Sequence, residues 1–166
     1  SPDASIVTVG TENSMEATMV PQAGYDIKFI PRVPFPRRPS KDVLSFPGQF
    51  LSSLKTAQNI LKQAQADAVV GVGGYVCTPM YLAARKLNIP VIIHEANAKP
   101  GLANKVGAAH AALVATAFPN TPIKNAHHVG MPMRAAIETL DKESQKTGAR
   151  QRLGLDVDLP TLVVTG

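Results

Sequence analysis

The sequence predicts an α/β fold built on a doubly wound parallel sheet. Strand-like and helix-like segments alternate along the 166 residues with short loops between them, which favours parallel strands joined by right-handed helical crossovers. The run at residues 89–93 is apolar throughout, as expected of a strand buried on both faces. A glycine-rich turn at Gly71–Gly74 separates an apolar run from a helical pattern. Ligands of such sheets bind at the carboxyl ends of the strands, so the loops there are the first place to look for a site.

The first part of the chain is predicted to hold two strands and a short helix. Short β-branched runs predict strands at residues 6–9 and 26–30. Residues 14–20 are predicted to form one or two helical turns, which Pro21 interrupts. Several prolines lie between residues 31 and 39, so that stretch is predicted to be an extended connection.

A longer helix is predicted from Lys41, and Pro47 is expected to break or kink it. Apolar residues then recur at steps of three and four along one helical face: Phe50, Leu54, Ala57, Leu61 and Ala64.

The remaining elements follow from the same periodicities. Strands are predicted at residues 67–72, 89–93, 112–115 and 126–129, and helices at residues 80–87, 102–109 and 141–153. Asp141 is a plausible N-cap of the last helix and Gly154 its C-terminal stop.

The sequence predicts a first domain at residues 1–135, a connector helix and linker at residues 136–160, and the first strand of a second domain at residues 161–166. A chain that begins and ends on strands is expected to be cut from something longer, because a closing strand needs a following element to cover it.

The glycine turn is a candidate phosphate site. Thr78 is predicted to cap the following helix and Pro79 to occupy its first position. Bare amide groups at such a turn, with the positive end of a helix dipole, attract phosphate or pyrophosphate. The alternative is an ordinary tight turn between a strand and a helix, since neither a full G-x-G-x-x-G motif nor a Walker lysine is present.

The composition favours some classes of binding partner and argues against others. A net charge of +5 and a pI of about 9.5 favour anionic ligands or an acidic membrane surface. Aromatic residues make up 5% and tryptophan is absent, which argues against a base-stacking nucleic-acid platform. The single cysteine, Cys77, rules out an intramolecular disulfide. Without a membrane-length apolar run or a signal-peptide pattern, the chain is expected to be cytoplasmic.

Polar residues cluster after the apolar strand at residues 89–93. His94 and Glu95 are candidates for a general base, the alternative being a histidine bonded to a backbone carbonyl beside a structural ion pair. Asn97 and Asn104 suit sugar hydroxyls and amides, although asparagine is also a common loop residue. Arg134 offers a guanidinium that can hold a diphosphate, unless it simply covers neighbouring methionines.

No metal site is predicted. Adjacent residues of a strand point to opposite faces, so His127 and His128 are not expected to bind one ion.

A basic and apolar stretch suggests contact with a membrane surface, where each base contributes roughly 1 kcal/mol near anionic lipid. Its residues are Arg37, Arg38, Lys41, Val43, Leu44, Phe46, Phe50, Leu51 and Lys55. The alternative is an ordinary amphipathic helix that covers the sheet.

The sequence resembles the MurG family of bacterial glycosyltransferases. The resemblance covers nearly the whole chain and rests on motifs in the family's order: Gly10-Thr11-Glu12, Met15-Glu16-Ala17, Gly71-Val72-Gly73-Gly74-Tyr75-Val76, His94-Glu95-Ala96-Asn97, Gly101-Leu102-Ala103-Asn104-Lys105 and Val129-Gly130-Met131-Pro132-Met133-Arg134. It implies the Rossmann-like N-terminal half of a two-domain GT-B glycosyltransferase, without the family's first strand, first glycine loop and first helix. The lack of that central strand is expected to leave the chain poorly stable and inactive alone.

The resemblance also implies a reaction. N-acetylglucosamine would pass from UDP-N-acetylglucosamine, with inversion and without a cofactor, to the C4 hydroxyl of the undecaprenyl-pyrophosphate-linked muramyl-pentapeptide at the cytoplasmic face of the membrane. Gly73, Gly74 and Tyr75 would face the acceptor pyrophosphate. His94, Glu95 and Asn104 would line the acceptor pocket, and Asn97 and Arg134 would touch the donor. Two alternatives remain open: a non-catalytic membrane-anchoring subunit of a two-chain transferase, and a sugar-nucleotide epimerase of the same fold.

Overall fold

A computed structural model of the chain describes residues 3–33 and 42–164, the side chains of residues 42–44 excepted. The strands are β1 Val7–Gly10, β2 Asp26–Phe29, β3 Val69–Gly71, β4 Val91–Glu95, β5 Leu113–Thr116 and β6 His127–His128. The helices are α1 Glu16–Gln22, α2 Asp42–Gln63, α3 Cys77–Lys86, α4 Leu102–Ala108, α5 Ala135–Glu138 and α6 Lys142–Arg152.

The described strands form two parallel sheets. β1 pairs with β2, and β3, β4, β5 and β6 pair in that order. Helices connect consecutive strands from β1 to β5. The predicted parallel α/β class is therefore confirmed.

The core lies between the four-stranded sheet and the helices α2, α3 and α4. Alternate strand residues point to one face, and Val91, Ile93 and Val114 are buried there. Ala57 and Leu61 from α2 and Met80, Tyr81, Ala83 and Ala84 from α3 cover them. The other face is less covered, since Val70 is 69% exposed and Ile92 is only half-buried. The prediction that the strand around Ile92 is buried on both faces is therefore wrong for this structure.

Both prolines expected to interrupt helices lie inside them. Pro21 belongs to α1 and Pro47 to α2, which is assigned as continuous from Asp42 to Gln63. Each proline is the sixth residue of its helix and forfeits a single backbone hydrogen bond, which is a local cost. The face of α2 also differs from the prediction, because Ser53 and Ile60 are buried and Ala64 is exposed beyond the helix end.

The bounds of β4 differ from the prediction. β4 begins and ends two residues later than predicted, so His94 and Glu95 belong to the strand and not to the loop after it. Residues 161–164 form no strand, because an extended segment becomes a strand only by pairing with a neighbour. Leu162 is 88% exposed there.

The last helix, α6, agrees with its predicted caps. The Asp141 side chain accepts hydrogen bonds from the N–H groups of Glu143 and Ser144. The bond from Ser144 holds the pKa of Asp141 below its usual range. Gly154 adopts φ +67° after the helix, and the N–H of Leu155 bonds back to the carbonyl of Arg150, as in a Schellman motif.

The chain divides into two compact units, the first ending at Met131 and the second beginning at Pro132. All described strands belong to the first unit, and α5 and α6 belong to the second.

Candidate functional site

The loops after β3 and β4 leave the sheet at the same edge. The two strands are parallel neighbours, with Gly71 opposite Ile93, so their carboxyl ends lie side by side. The loop after β3 is the glycine loop, residues 72–76, and the loop after β4 leads through residues 96–101 to α4. The glycine loop and the loop after β4 therefore lie together at one edge of the four-stranded sheet.

The glycine loop turns through two left-handed residues. Gly73 has φ +97° and Gly74 has φ +92°, a conformation that side chains disfavour. The Cys77 thiol donates a hydrogen bond to the carbonyl of Gly73 at 2.9 Å. This bond ties the loop to the first turn of α3, a role for Cys77 that the sequence analysis missed.

The predicted cap of α3 is wrong by two residues. The helix begins at Cys77, its N-cap is Val76, and no side chain caps it. Thr78 and Pro79 are instead buried within the first turn, where a proline is tolerated because the first N–H groups of a helix have no helical partner.

Glu95 lies at the centre of a buried hydrogen-bond network. Its Oε1 accepts bonds from the backbone N–H of Asn97 at 2.9 Å and from Asn97 Nδ2 at 2.8 Å. Its Oε2 accepts bonds from the N–H of Gly101 at 3.0 Å and from Asn104 Nδ2 at 2.9 Å. The Tyr81 hydroxyl completes the network by donating to Asn104 Oδ1 at 2.9 Å. We call these five residues the Glu95 network.

The network keeps Glu95 ionised. Desolvation works to raise the pKa of this carboxyl, which is 1% exposed. The hydrogen bonds from Asn104, Asn97 and Gly101 outweigh it and hold the pKa of Glu95 below its usual value. Burial raises the pKa of Tyr81, with the neighbouring Cys77 adding to the effect, so its hydroxyl stays a donor.

Asn104 supports the site from beneath. It is 1% exposed, and both ends of its amide are bonded within the network. A Cβ placed on Gly73 would lie 3.2 Å from Asn104 Nδ2, so the glycine loop packs closely over it. The structure therefore brings Asn104 and Gly73 together, but it favours a supporting role for Asn104 over direct contact with a ligand.

His94 lies on the opposite face of β4 from Glu95, because neighbouring strand residues alternate. Its Nε2 is 2.9 Å from the carbonyl oxygen of Gly130. A carbonyl only accepts, so Nε2 carries the proton and donates. His94 therefore makes the bond to a backbone carbonyl that was considered as the alternative to a general base. The ion pair expected of Glu95 in that alternative is replaced by hydrogen bonds to uncharged groups.

Asn97 and Arg134 belong to different units of the chain. Asn97 is exposed, and its carbonyl accepts a 3.4 Å hydrogen bond from the Thr121 hydroxyl. Arg134 is exposed at the start of α5 in the second unit.

A cleft of about 390 Å³ lies at the carboxyl ends of β1 and β2. Its lining comes from the segments after β1 and β2: Thr11, Glu12, Asn13, Phe29, Ile30, Pro31 and Arg32. The Arg32 guanidinium lies 5.1 Å from the centre of the Tyr75 ring, within the range of a cation–π contact. Arg32 thus links this cleft to the glycine loop, which the sequence analysis did not anticipate.

Only part of the predicted membrane surface falls on described side chains. Arg37, Arg38 and Lys41 lie outside the described residues, as do the side chains of Val43 and Leu44. On α2, the half-buried rings of Phe46 and Phe50 stack with their centres 5.6 Å apart. Leu51 is 63% exposed and Lys55 is exposed. None of the described helices is both long enough and apolar enough to span a membrane.

No group of three or more His, Cys, Asp or Glu side chains within the described ranges has the placement of a metal site. His128 Nε2 instead lies 3.2 Å from the carbonyl oxygen of Ala117.

Comparison with known protein families identifies the family of this chain. Residues 3–116 match the family described as "Glycosyltransferase family 28 N-terminal domain". The chain belongs to glycosyltransferase family 28. The match covers all of the Glu95 network and the glycine loop, whereas Arg134 lies outside it.

Curated relatives refine the assignment within family 28. A Paenarthrobacter aurescens protein is 56% identical over 165 residues, and a Streptomyces avermitilis protein is 47% identical over 165 residues. Both are named "UDP-N-acetylglucosamine--N-acetylmuramyl-(pentapeptide) pyrophosphoryl-undecaprenol N-acetylglucosamine transferase". The alignments cover 99% of this chain and 44% and 46% of the relatives, so the chain spans less than half of their length.

A solved structure agrees with the family 28 assignment. The crystal structure of Acinetobacter baumannii MurG superposes with a TM-score of 0.62 at 35% identity, covering 75% of this chain and 37% of that one. The resemblance to the MurG family and the Rossmann-like, GT-B type fold are therefore confirmed.

Proposed function

We propose that this chain is the acceptor-side half of an inverting glycosyltransferase. The enzyme would move N-acetylglucosamine from UDP-N-acetylglucosamine to the C4 hydroxyl of undecaprenyl-pyrophosphate-linked muramyl-pentapeptide, a step of peptidoglycan synthesis. The observation that carries the proposal is the alignment of 99% of the chain, at 56% and 47% identity, with transferases of that name.

The glycine loop is the proposed site of the acceptor pyrophosphate. Gly73 and Gly74 turn their backbone beside the first turn of α3, where unpaired amide groups favour an anion. Tyr75 is 44% exposed on the same loop and holds the Arg32 guanidinium against its ring. A cation there supports an anionic ligand.

Asn97 and Arg134 are the proposed donor contacts. Asn97 is exposed after β4, and its amide suits the hydroxyl and amide groups of a sugar nucleotide. Arg134 suits the diphosphate, whose negative charge grows as UDP departs. His94 is retained as a candidate for proton transfer through Nδ1, since its Nε2 is bonded to Gly130.

Membrane contact is proposed for the start of α2. Leu51 exposes 63% of its surface, Lys55 is exposed, and the half-buried Phe46 and Phe50 rings stack nearby. An apolar surface with a basic rim fits peripheral binding to an anionic membrane. The cytoplasmic face is proposed because the nucleotide-linked donor is a cytoplasmic metabolite in this reaction.

The test is a transfer assay with the full-length protein that carries this chain. Radiolabelled N-acetylglucosamine supplied as the UDP-sugar should enter the lipid-linked acceptor in vesicles that contain anionic lipid. Label that stays in the nucleotide, with vesicle binding intact, would reject the transferase and favour the anchoring subunit. Conversion of the UDP-sugar to its epimer would favour the epimerase.

A further inference from the structure

The Glu95 carboxylate has no vacant acceptor position. An ionised carboxylate offers about four lone-pair directions. Each oxygen of Glu95 accepts two hydrogen bonds, from Asn97 N and Nδ2 on one side and from Gly101 N and Asn104 Nδ2 on the other. A general base must reach the proton that it removes and then carry it. Glu95 is 1% exposed and faces donors only, so its geometry does not suit that role.

The same contacts fix the orientation of Asn97. A carboxylate oxygen only accepts, so the atom of the Asn97 amide that faces Glu95 Oε1 is the nitrogen. The amide group is planar, and its oxygen therefore points away from the carboxylate. Because the backbone N–H of Asn97 is bonded to the same Oε1, the residue is held at two points.

We propose that Glu95 is a positioning residue, which holds Asn97 so that Oδ1 faces outward as an acceptor for a hydroxyl or N–H group of the sugar nucleotide. The inference rests on the proposed function and says which atom of Asn97 contacts the sugar nucleotide. Asn97 accepts from the sugar nucleotide through Oδ1, and one N–H of its Nδ2 donates to Glu95. Proton removal belongs to another group.

Exchanging the carboxylate and the amide between positions 95 and 97 tests which atom of Asn97 faces outward. Asn97→Asp alone places two carboxylates together and should lower kcat/KM for UDP-N-acetylglucosamine by about 100-fold, because misplaced contacts carry costs of that order. Adding Glu95→Gln lets the new amide nitrogen donate to the carboxylate at position 97, while the new amide oxygen still accepts from Gly101 and Asn104. The backbone N–H of residue 97 then faces the amide nitrogen and loses its acceptor, so the recovery is expected to be partial. The double variant keeps an outward oxygen at position 97 and should regain about tenfold or more over Asn97→Asp.

The single variant Glu95→Gln supplies a second readout. It should lower kcat/KM by about 10- to 100-fold while the acidic limb of the pH–rate profile stays in place, since that limb reports the true base. Glu143→Gln changes an exposed carboxylate of α6 and should leave the activity unchanged. Thermal unfolding of each variant identifies any that is not folded at the assay temperature; if Glu95→Gln is unfolded, the pH profile is measured on the double variant.

Two results would overturn the inference. One is loss of the acidic limb in Glu95→Gln, which would make Glu95 the base. The other is a folded double variant as inactive as Asn97→Asp. Both presuppose transfer by the unchanged enzyme; an unchanged enzyme without transfer would overturn the proposed function, and this inference with it.

Discussion

The Tyr81 hydroxyl donates a 2.9 Å hydrogen bond to Asn104 Oδ1, and both side chains are buried. This bond connects the core of α3 to the Glu95 network, because Asn104 Nδ2 bonds to Glu95 Oε2. The polar network beneath the site is therefore part of the folded core, and changes within it should register as changes in stability.

Tyr81→Phe should destabilise the protein by about 1–3 kcal/mol, since it leaves the buried Oδ1 of Asn104 without its donor. Chemical denaturation measures the change in the free energy of unfolding. Tyr25→Phe is the matched control, because Tyr25 is 50% exposed, and its effect should be within about 0.5 kcal/mol. Equal effects of the two substitutions would contradict the description of the network.

Gly71→Ala should destabilise the protein, although it adds only one carbon atom. A Cβ at Gly71 would overlap the ring and hydroxyl of Tyr81, and overpacking a core costs about 1–3 kcal/mol, occasionally more. A Cβ at Gly48, on the exposed surface of α2, would meet no atom of the described residues within 4 Å, so Gly48→Ala should stabilise the helix by about 0.5–1 kcal/mol. Melting temperatures of the two variants should move in opposite directions, and a shift in the same direction would refute this packing.

The stability that Glu95 contributes should depend on pH. Its folded-state pKa lies below the ordinary value of 4.5, so the contribution is present above that pH and is lost as the pH falls through the folded-state pKa. The difference in unfolding free energy between the protein and its Glu95→Gln variant should therefore shrink below pH 4.5. Asp141 and Glu16 also have lowered pKa values, but both are common to the two proteins and cancel in the difference. A difference independent of pH would argue against an ionised Glu95.

Leu51→Ser should weaken binding to anionic vesicles by about tenfold, because removing an apolar side chain of this size from an apolar environment costs about 1.5 kcal/mol or more. Flotation of the full-length protein measures the bound fraction. Leu153→Ser changes a residue that is 73% exposed in the second unit and should leave binding unchanged. An equal loss with both variants would show that the start of α2 is not the membrane contact.

Local patterns sufficed for the order of the strands and of every described helix except the four-residue α5, and for the caps of α6. Periodicity placed the elements of the parallel sheet, and Asp141 with Gly154 marked both ends of α6. The start of α3 was misplaced because Thr78 and Pro79 have the residue types of a cap, whereas the Cys77–Gly73 bond, which spans a turn of unusual backbone, brings the helix start forward.

The Glu95 network was only partly readable from the sequence. Continuing the alternation of Val91 and Ile93 places Glu95 on the buried face, and that signal was available. The role of Tyr81 could not be predicted, because its ring packs against two glycines that are far apart in the chain, Gly71 and Gly107. A Cβ at either glycine would overlap that ring, and one at Gly107 would also lie 2.7 Å from Ile93 Cδ1. Such contacts between residues far apart in the chain have no local sequence signature.

The most direct test of the central claim is transfer of labelled N-acetylglucosamine to the lipid-linked acceptor by the full-length protein and by its Asn97→Ala and Arg134→Ala variants. Asn59→Ala, an exposed change on α2, is the control. We expect transfer by the unchanged protein and by the control, and a loss of about 100-fold or more in kcat/KM for each of the two site variants. Full transfer by Asn97→Ala and Arg134→Ala would rule out the two proposed donor contacts.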